Sequence, residues 1–298
     1  MTFPDRFTFL ADEVSQDLPV LRAFVREFKL PGIELRSFAG RAFKDLTDAD
    51  VAAIGAAATE EGWKIFGCST PVFKCALDDP KAIAEHREIF QRSIDVARTL
   101  KSDLVRIFTF LRQPNALEPT RLDRVAEHLL GLAELSKGSG VRIGIENEHS
   151  CLTGTVEEME AILSRLPAET FGAIWDPCNV LYVPGVPAPA ADNLTRLATR
   201  LYHVHLKDAI RRTPPAGDPT ALIAVGMPVG TGDVNWRAHL RALNTAGYRG
   251  MLSLETHWRL QGIDEKSLHL PAGYGFSHGG EAASRICFHN LKAIVGAL

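Results

Sequence analysis

Eight short apolar runs, each followed by an amphipathic helical stripe, predict an α/β chain folded as a single-domain (β/α)8 TIM barrel. Three observations carry this expectation. The alternation fills the 298-residue chain with no linker or low-complexity break, so one domain is expected over residues 1–298. No Gly-x-Gly-x-x-Gly follows the first strand, as an open dinucleotide-binding sheet would want. Polar residues also fall at the ends of most strands, not at one switch point.

Residues 7–10 form the first strand, ending at Asp12 and Glu13; 18–28 read as a helix through Leu21, Phe24 and Phe28. Strand two is 32–36, Gly-Ile-Glu-Leu-Arg. Thr47 is a suitable N-cap for a helix carrying Val51, Ile54 and Ala58, and Gly62 stops it. Strand three, 63–68, leads to a helix over about 81–100 with Ile83, Phe90, Ile94 and Ala97 on one stripe. Strand four is 104–108; Leu122, Val125, Leu129 and Leu132 mark its helix, closed by Gly138 and Gly140. Strand five, 141–146, precedes a helix over 155–166, and strand six, 171–176, precedes a short one over 193–199. Strand seven is 201–206 with 236–244 helical; strand eight is 251–255, followed by a helix over 281–295. The connections 208–233 and 257–280 exceed the usual length and are expected on the C-terminal rim, as lids or mobile segments.

Composition narrows the function classes. The chain is 46% hydrophobic and 23% charged, enough for a sizeable core. A net charge of −3 gives no general attraction to nucleic acid or anionic membrane. No run of eighteen apolar residues appears, and residues 1–12 lack the order of a signal peptide, so a cytoplasmic location is expected. The five cysteines are odd in number with no repeated close pair, against a disulfide framework or cysteine zinc site.

The chemistry sits at the strand ends. Glu146 ends Ile-Gly-Ile-Glu, Asp176 ends Ala-Ile-Trp-Asp, His205 ends His-Val-His, and Glu255 ends Leu-Ser-Leu-Glu. They come from four successive strands and occupy the last residues before the rim. Three unpaired carboxylates in one pocket would repel, and a divalent cation removes that conflict. Three oxygens and one imidazole suit Mn2+ first, with Mg2+, Co2+ or Zn2+ open. His203 shares the face of His205 one layer deeper, so it is expected to orient a ligand from behind.

Glu146, Asp176, the run His203 to Asp208, Gly230-x-Gly232, Gly247-Tyr248 and Glu255 together resemble the xylose isomerase-like sugar phosphate isomerase/epimerase superfamily. The resemblance covers the second half of the chain well, and Glu34 and Arg36 fit it loosely. It implies a metal held by Glu146, Asp176, His205 and Glu255, with Glu146 and Glu255 moving the proton in the ketose 3-epimerase branch. That branch also has a substrate-contacting arginine six residues after the metal histidine, where Arg211 stands. Two positions depart from it: Asn179 replaces a histidine, and Leu152 a glutamate.

Other polar residues flank these. Lys207 is expected to neutralise enediolate charge or hold a substrate oxygen, with a rim salt bridge to Asp208 or Glu148 as the alternative. Glu148 and His149 reach the pocket or cap the loop, and Asn179 offers a hydrogen bond to a substrate hydroxyl. His257, Trp258 and His278 lie in the last long loop, over the substrate or packed within the loop. Gly226 to Gly232 fits no phosphate-binding loop and reads as a turn.

The leading expectation is a metal-dependent isomerase or epimerase acting on a sugar or keto-polyol through an enediolate. A lyase dehydrating an inosose-like keto-polyol would use the same site. An abasic-site endonuclease would want more histidines and a basic groove, and a non-catalytic sugar-binding barrel would keep metal without proton transfer. The expected partner is a small-molecule sugar or polyol, with no nucleic acid and no membrane; a homo-oligomer is compatible with the sequence.

Overall fold

A computed structural model describes residues 3–214, 222–261 and 277–298. Its strands are β1 (Phe7–Phe9), β2 (Gly32–Leu35), β3 (Ser37–Phe38), β4 (Arg41–Ala42), β5 (Lys64–Ser69) and β6 (Leu104–Ile107). They continue as β7 (Arg142–Glu146), β8 (Phe171–Trp175), β9 (Leu201–Leu206), β10 (Asp208–Arg212), β11 (Ile223–Met227) and β12 (Leu252–Leu254). Eight of them make one sheet in the order β1-β12-β9-β8-β7-β6-β5-β2. Every pairing in it is parallel. A Leu10–Glu34 bridge brings the β1 edge to β2, so the ring is nearly closed. Helices lie between the strands, which is the expected (β/α)8 barrel.

The helices begin and end where local chemistry dictates. Thr47 and Asp50 form a reciprocal capping box at the start of Asp48–Glu61, and Gly62 ends it at φ 73°. Thr155 and Glu158 do the same for Val156–Leu163. Asp79 and Glu118 cap Pro80–Thr99 and Pro119–Ser136, each with proline in the first turn. The stripe residues Ile83, Phe90, Ile94 and Ala97 are buried, as are Leu122, Val125, Leu129 and Leu132. The helix expected over 155–166 stops at Leu163, because residues 164–166 turn back to pair locally.

Three features depart from the expected pattern. Residues 208–212 and 223–227 form an antiparallel hairpin, β10–β11, rather than a loop. A second small hairpin, β3–β4, follows β2. Asp176 lies just beyond β8 and caps a short helix, Pro177–Leu181. Of the two connections expected as lids, 215–221 and 262–276 lie outside the described residues.

The turn read at Gly226 to Gly232 is built on one buried carboxylate. Asp208 accepts from the backbone N–H of Ala209, Gly230, Gly232 and Val234 at 2.9–3.1 Å. A side chain at Gly232 would run into the Asp208 carboxylate and the Ala209 carbonyl. No described helix is long and apolar enough to cross a membrane.

Candidate metal centre

Register brings the strand-end residues together. Glu146 pairs with Ile174 across β7–β8, and His205 with Ser253 across β9–β12, so Asp176 and Glu255 each stand two residues beyond their neighbour's partner, in a stagger at the strand ends. The ligand atoms of Glu146, Asp176, His205 and Glu255 all lie within 4.8 Å of one another, and all four side chains are buried. Two atoms on a common cation at ~2.1 Å stand at most ~4.2 Å apart, so a few tenths of an ångström of closure completes the set.

Each donor has a local cause for its direction. Asp176 exchanges two hydrogen bonds of 2.7 Å with the side-chain amide of Asn147, which fixes its backbone. Its Oδ1 accepts from the N–H of Cys178 and Asn179. Oδ2 is buried with no hydrogen bond; Lys207 Nζ is 2.7 Å away but poorly aligned. That orphaned oxygen faces the other donors, as a ligand oxygen should.

His205 presents Nδ1 to Glu146 Oε1 at 3.1 Å and to Glu255 Oε2 at 3.7 Å. Its Nε2 is 3.1 Å from Glu34 Oε1, a carboxylate that also receives Ser69 Oγ and His203 Nε2, the latter at 3.0 Å. Burial opposes the Glu34 charge, but His205 and His203 hold its carboxyl well below the usual range. An anion there holds a proton on Nε2, so Nδ1, on the side of Glu146, is the nitrogen that a cation would take. His203 therefore acts on Glu34 and not on a donor directly, one step further back than its spacing implied.

Burial dominates the electrostatics, and neighbours decide the sign. Burial pushes the Asp176 carboxyl up to about 6, with Glu255 and Glu146 adding to it and Lys207 opposing. Glu255 is held well below the ordinary value despite burial, by Lys207, His257 and Arg36. Burial also opposes a charge on His205, yet Glu34 and Glu146 raise its pKa well above the histidine norm. Carboxylates that favour a proton at Nδ1 would equally favour a cation there. The donor set therefore fits a divalent ion.

Two other clusters fit one less well. Glu34, His203 and His205 already satisfy each other by hydrogen bonds. Glu13, Glu255 and His257 enclose Arg36, whose guanidinium donates to Glu13 at 2.7 Å and to Glu255 at 2.6 Å. That cluster also offers three ligand atoms, one fewer than the set at Glu146.

A cavity of about 300 Å3 opens beside the donors, lined among others by Arg36, Lys74, Arg106, Glu146, Glu148 and Glu255. Lys207 Nζ bridges Asp176 at 2.7 Å and Glu255 at 2.9 Å, in place of the rim pairing with Asp208 or Glu148. Asn179 Nδ2 is 3.4 Å from Glu146 Oε1 and donates to the Asn147 carbonyl at 2.8 Å. His257 lines the cavity, while His149 stacks on Tyr182 and the His278 carbonyl accepts from Arg259. The Trp258 carbonyl also accepts from Arg259. Arg211 does not join them. Its guanidinium donates to the carbonyls of Val180, Leu181, Val183 and Val186, clamping the segment after Asp176.

The family model for the xylose isomerase-like TIM barrel matches residues 23–273. The chain belongs to that family. Among solved structures, this xylose isomerase-like barrel resembles the IOLI protein with a bound zinc atom, at 17% identity and TM-score 0.73 over 98% of each chain. It also resembles D-allulose 3-epimerase from Methylomonas sp. in complex with D-allulose, at 16% identity and TM-score 0.67 over 97% of this chain and 99% of that one. A third is a xylose isomerase-like protein from Mycobacterium smegmatis in complex with magnesium, at 17% identity and TM-score 0.62 over 91% and 88%. At such identities the likeness speaks for the shared fold. No curated protein sequence matches the chain.

Among the residues of this barrel's site that sequence patterns left out are Arg106, Lys74 and Asn147. Arg106 interrupts an apolar strand, Leu-Val-Arg-Ile, and that interruption was the available signal. Asn147, next to Glu146, carried none.

Proposed function

We propose that the protein is a divalent-metal-dependent isomerase or epimerase of a keto-sugar or keto-polyol. The observation that carries the reading is the convergence of Glu146, Asp176, His205 Nδ1 and Glu255 within 4.8 Å, beside a cavity that Glu146 and Glu255 line. When bound, the cation would polarise the substrate carbonyl and stabilise the enediolate charge. Mn2+ is our first choice, with the zinc and magnesium of the solved relatives as alternatives.

The side chains divide the remaining work. Glu146 and Glu255 are the proton-transfer groups, each a carboxylate at the cavity wall. Their environments differ: Glu255 is gripped by Arg36 and Lys207, whereas Glu146 faces His205 and Asn179. Glu146, the less tightly paired of the two, is the better-placed base to remove the proton beside the carbonyl. Lys207 holds an ammonium between Asp176 and Glu255, where it can neutralise charge developing on a substrate oxygen. Asn179 and Glu148 are the hydrogen-bonding groups for hydroxyls.

The experiment is turnover of keto-sugars and inososes in deuterated buffer, with chelator and with metal restored. Metal-dependent deuterium at the carbon beside the carbonyl supports the proposal. Full exchange in excess chelator, or none with any keto-substrate, overturns it; release of water would mark a lyase.

A further inference from the structure

Arg106 stands on β6 in an otherwise apolar strand, only 5% exposed, and lines the cavity. Among the described residues no hydrogen bond engages its guanidinium. Nε is 3.2 Å from Glu146 Oε2 but without hydrogen-bond alignment, and it is a buried orphan. Its carbon lies 4.3 Å from the centroid of the Phe108 ring, and Lys74 Nζ stands 4.9 Å from the same centroid. The ammonium of Lys74 likewise makes no hydrogen bond among the described residues; its closest carboxylate oxygen, on Glu148, is 3.5 Å away.

Of the five N–H donors of Arg106, the one on Nε is buried without an acceptor, which is costly, and those on Nη1 and Nη2 have no protein acceptor among the described residues. The other arginine at the cavity, Arg36, is already engaged by Asp12, Glu13 and Glu255. One wall of the cavity thus carries two cations with donors to spare, held against one aromatic ring. Resting on the reading above that a keto-sugar or keto-polyol enters here, we propose that Arg106, assisted by Lys74, anchors a carboxylate of the substrate. The preferred substrates are then keto-sugar acids. A planar monoanion matches the fork of a guanidinium. A phosphate, with a charge of about −2, would be repelled more strongly than a monoanion by Asp12, Glu146 and Glu148 on the same lining.

Titration calorimetry on the full-length protein with Mg2+ tests this with probe pairs differing only at C6: D-fructuronate with D-fructose, and D-tagaturonate with D-tagatose. The acid of at least one pair should bind about tenfold or more tighter than its neutral partner. Arg106→Gln should abolish that preference while changing neutral-sugar affinity by less than about twofold, and Arg106→Lys should restore part of it. Lys74→Gln should reduce it by less. Equal affinity within each pair, absence of binding included, overturns the proposal. So does equal weakening of acid and neutral sugar by Arg106→Gln, which would make Arg106 a support for Glu146. Binding is read without turnover, so a preference with no deuterium exchange would sink the isomerase reading and leave the carboxylate anchor standing.

Discussion

His205 Nε2 lies 3.1 Å from Glu34 Oε1, and Glu34 reaches from β2 across the barrel to do it. This contact decides which imidazole nitrogen is free for a cation. Glu34→Gln should weaken divalent-metal affinity about 10- to 100-fold, because the fixed tautomer and the ring basicity are both lost. His205→Ala should cost more and His203→Ala less than Glu34→Gln. Metal titration of the three variants checks the order; an unchanged affinity in Glu34→Gln would remove its orienting role.

Replacing Glu146 and Glu255, the proposed proton-transfer groups, should separate chemistry from binding. Glu146→Gln and Glu255→Gln should each lower solvent exchange into substrate by about 10²-fold or more, while circular dichroism stays native. Full turnover in both would leave a barrel that holds metal for another purpose.

Metal should also stabilise the fold, since four buried candidate donors would bind it only when assembled. At about 100 times Kd the gain is about 2.7 kcal/mol, which raises Tm by several degrees for a chain of this size. Scanning calorimetry with chelator and with Mn2+ tests it. Coincident melts would mean that the donors do not assemble a site.

Asp208 should matter more to the fold than to chemistry. Asp208→Ala leaves four backbone N–H groups without their acceptor, a loss of about 3 kcal/mol or more. Asp208→Asn, which keeps one acceptor oxygen, should lose less. Denaturant unfolding of both variants measures the difference.

His239 is buried on the helix Trp236–Thr245, and burial lowers its pKa below the usual histidine value. The unfolded chain takes up the proton near pH ~6.5, whereas the folded ring resists it until a lower pH. Its contribution to stability is therefore full above pH ~6.5 and is lost as pH falls from there toward the folded-state value. Wild type should lose more Tm than His239→Gln between pH ~7.5 and pH ~5.5. Parallel losses would exclude this residue as a source of acid sensitivity.

The barrel was legible because its signals are local. Thr47 with Asp50, Thr155 with Glu158, and the buried stripe of Leu122, Val125, Leu129 and Leu132 each act within one helix. The four strand-end donors were legible because β period and rim position both follow from sequence order. Partners brought together across the barrel were not. Glu34 meets His205 from 171 residues away, and Arg36 meets Glu255 from 219. Arg211 sits at the spacing of a substrate ligand but satisfies the carbonyls of 180–186, which no spacing rule foresees. Glycines and prolines in 208–233 read as loop, yet the residues flanking 215–221 pair as β10–β11.

All four candidate donors, Glu146, Asp176, His205 and Glu255, belong to the C-terminal half of the chain. Two groups that hold them, Glu34 on His205 and Arg36 on Glu255, belong to the N-terminal half. A half-barrel beginning near residue 141 would carry every ligand and lack Glu34 and Arg36. Division of the chain there would separate composition from geometry, and metal uptake would report the reunion of the two fragments.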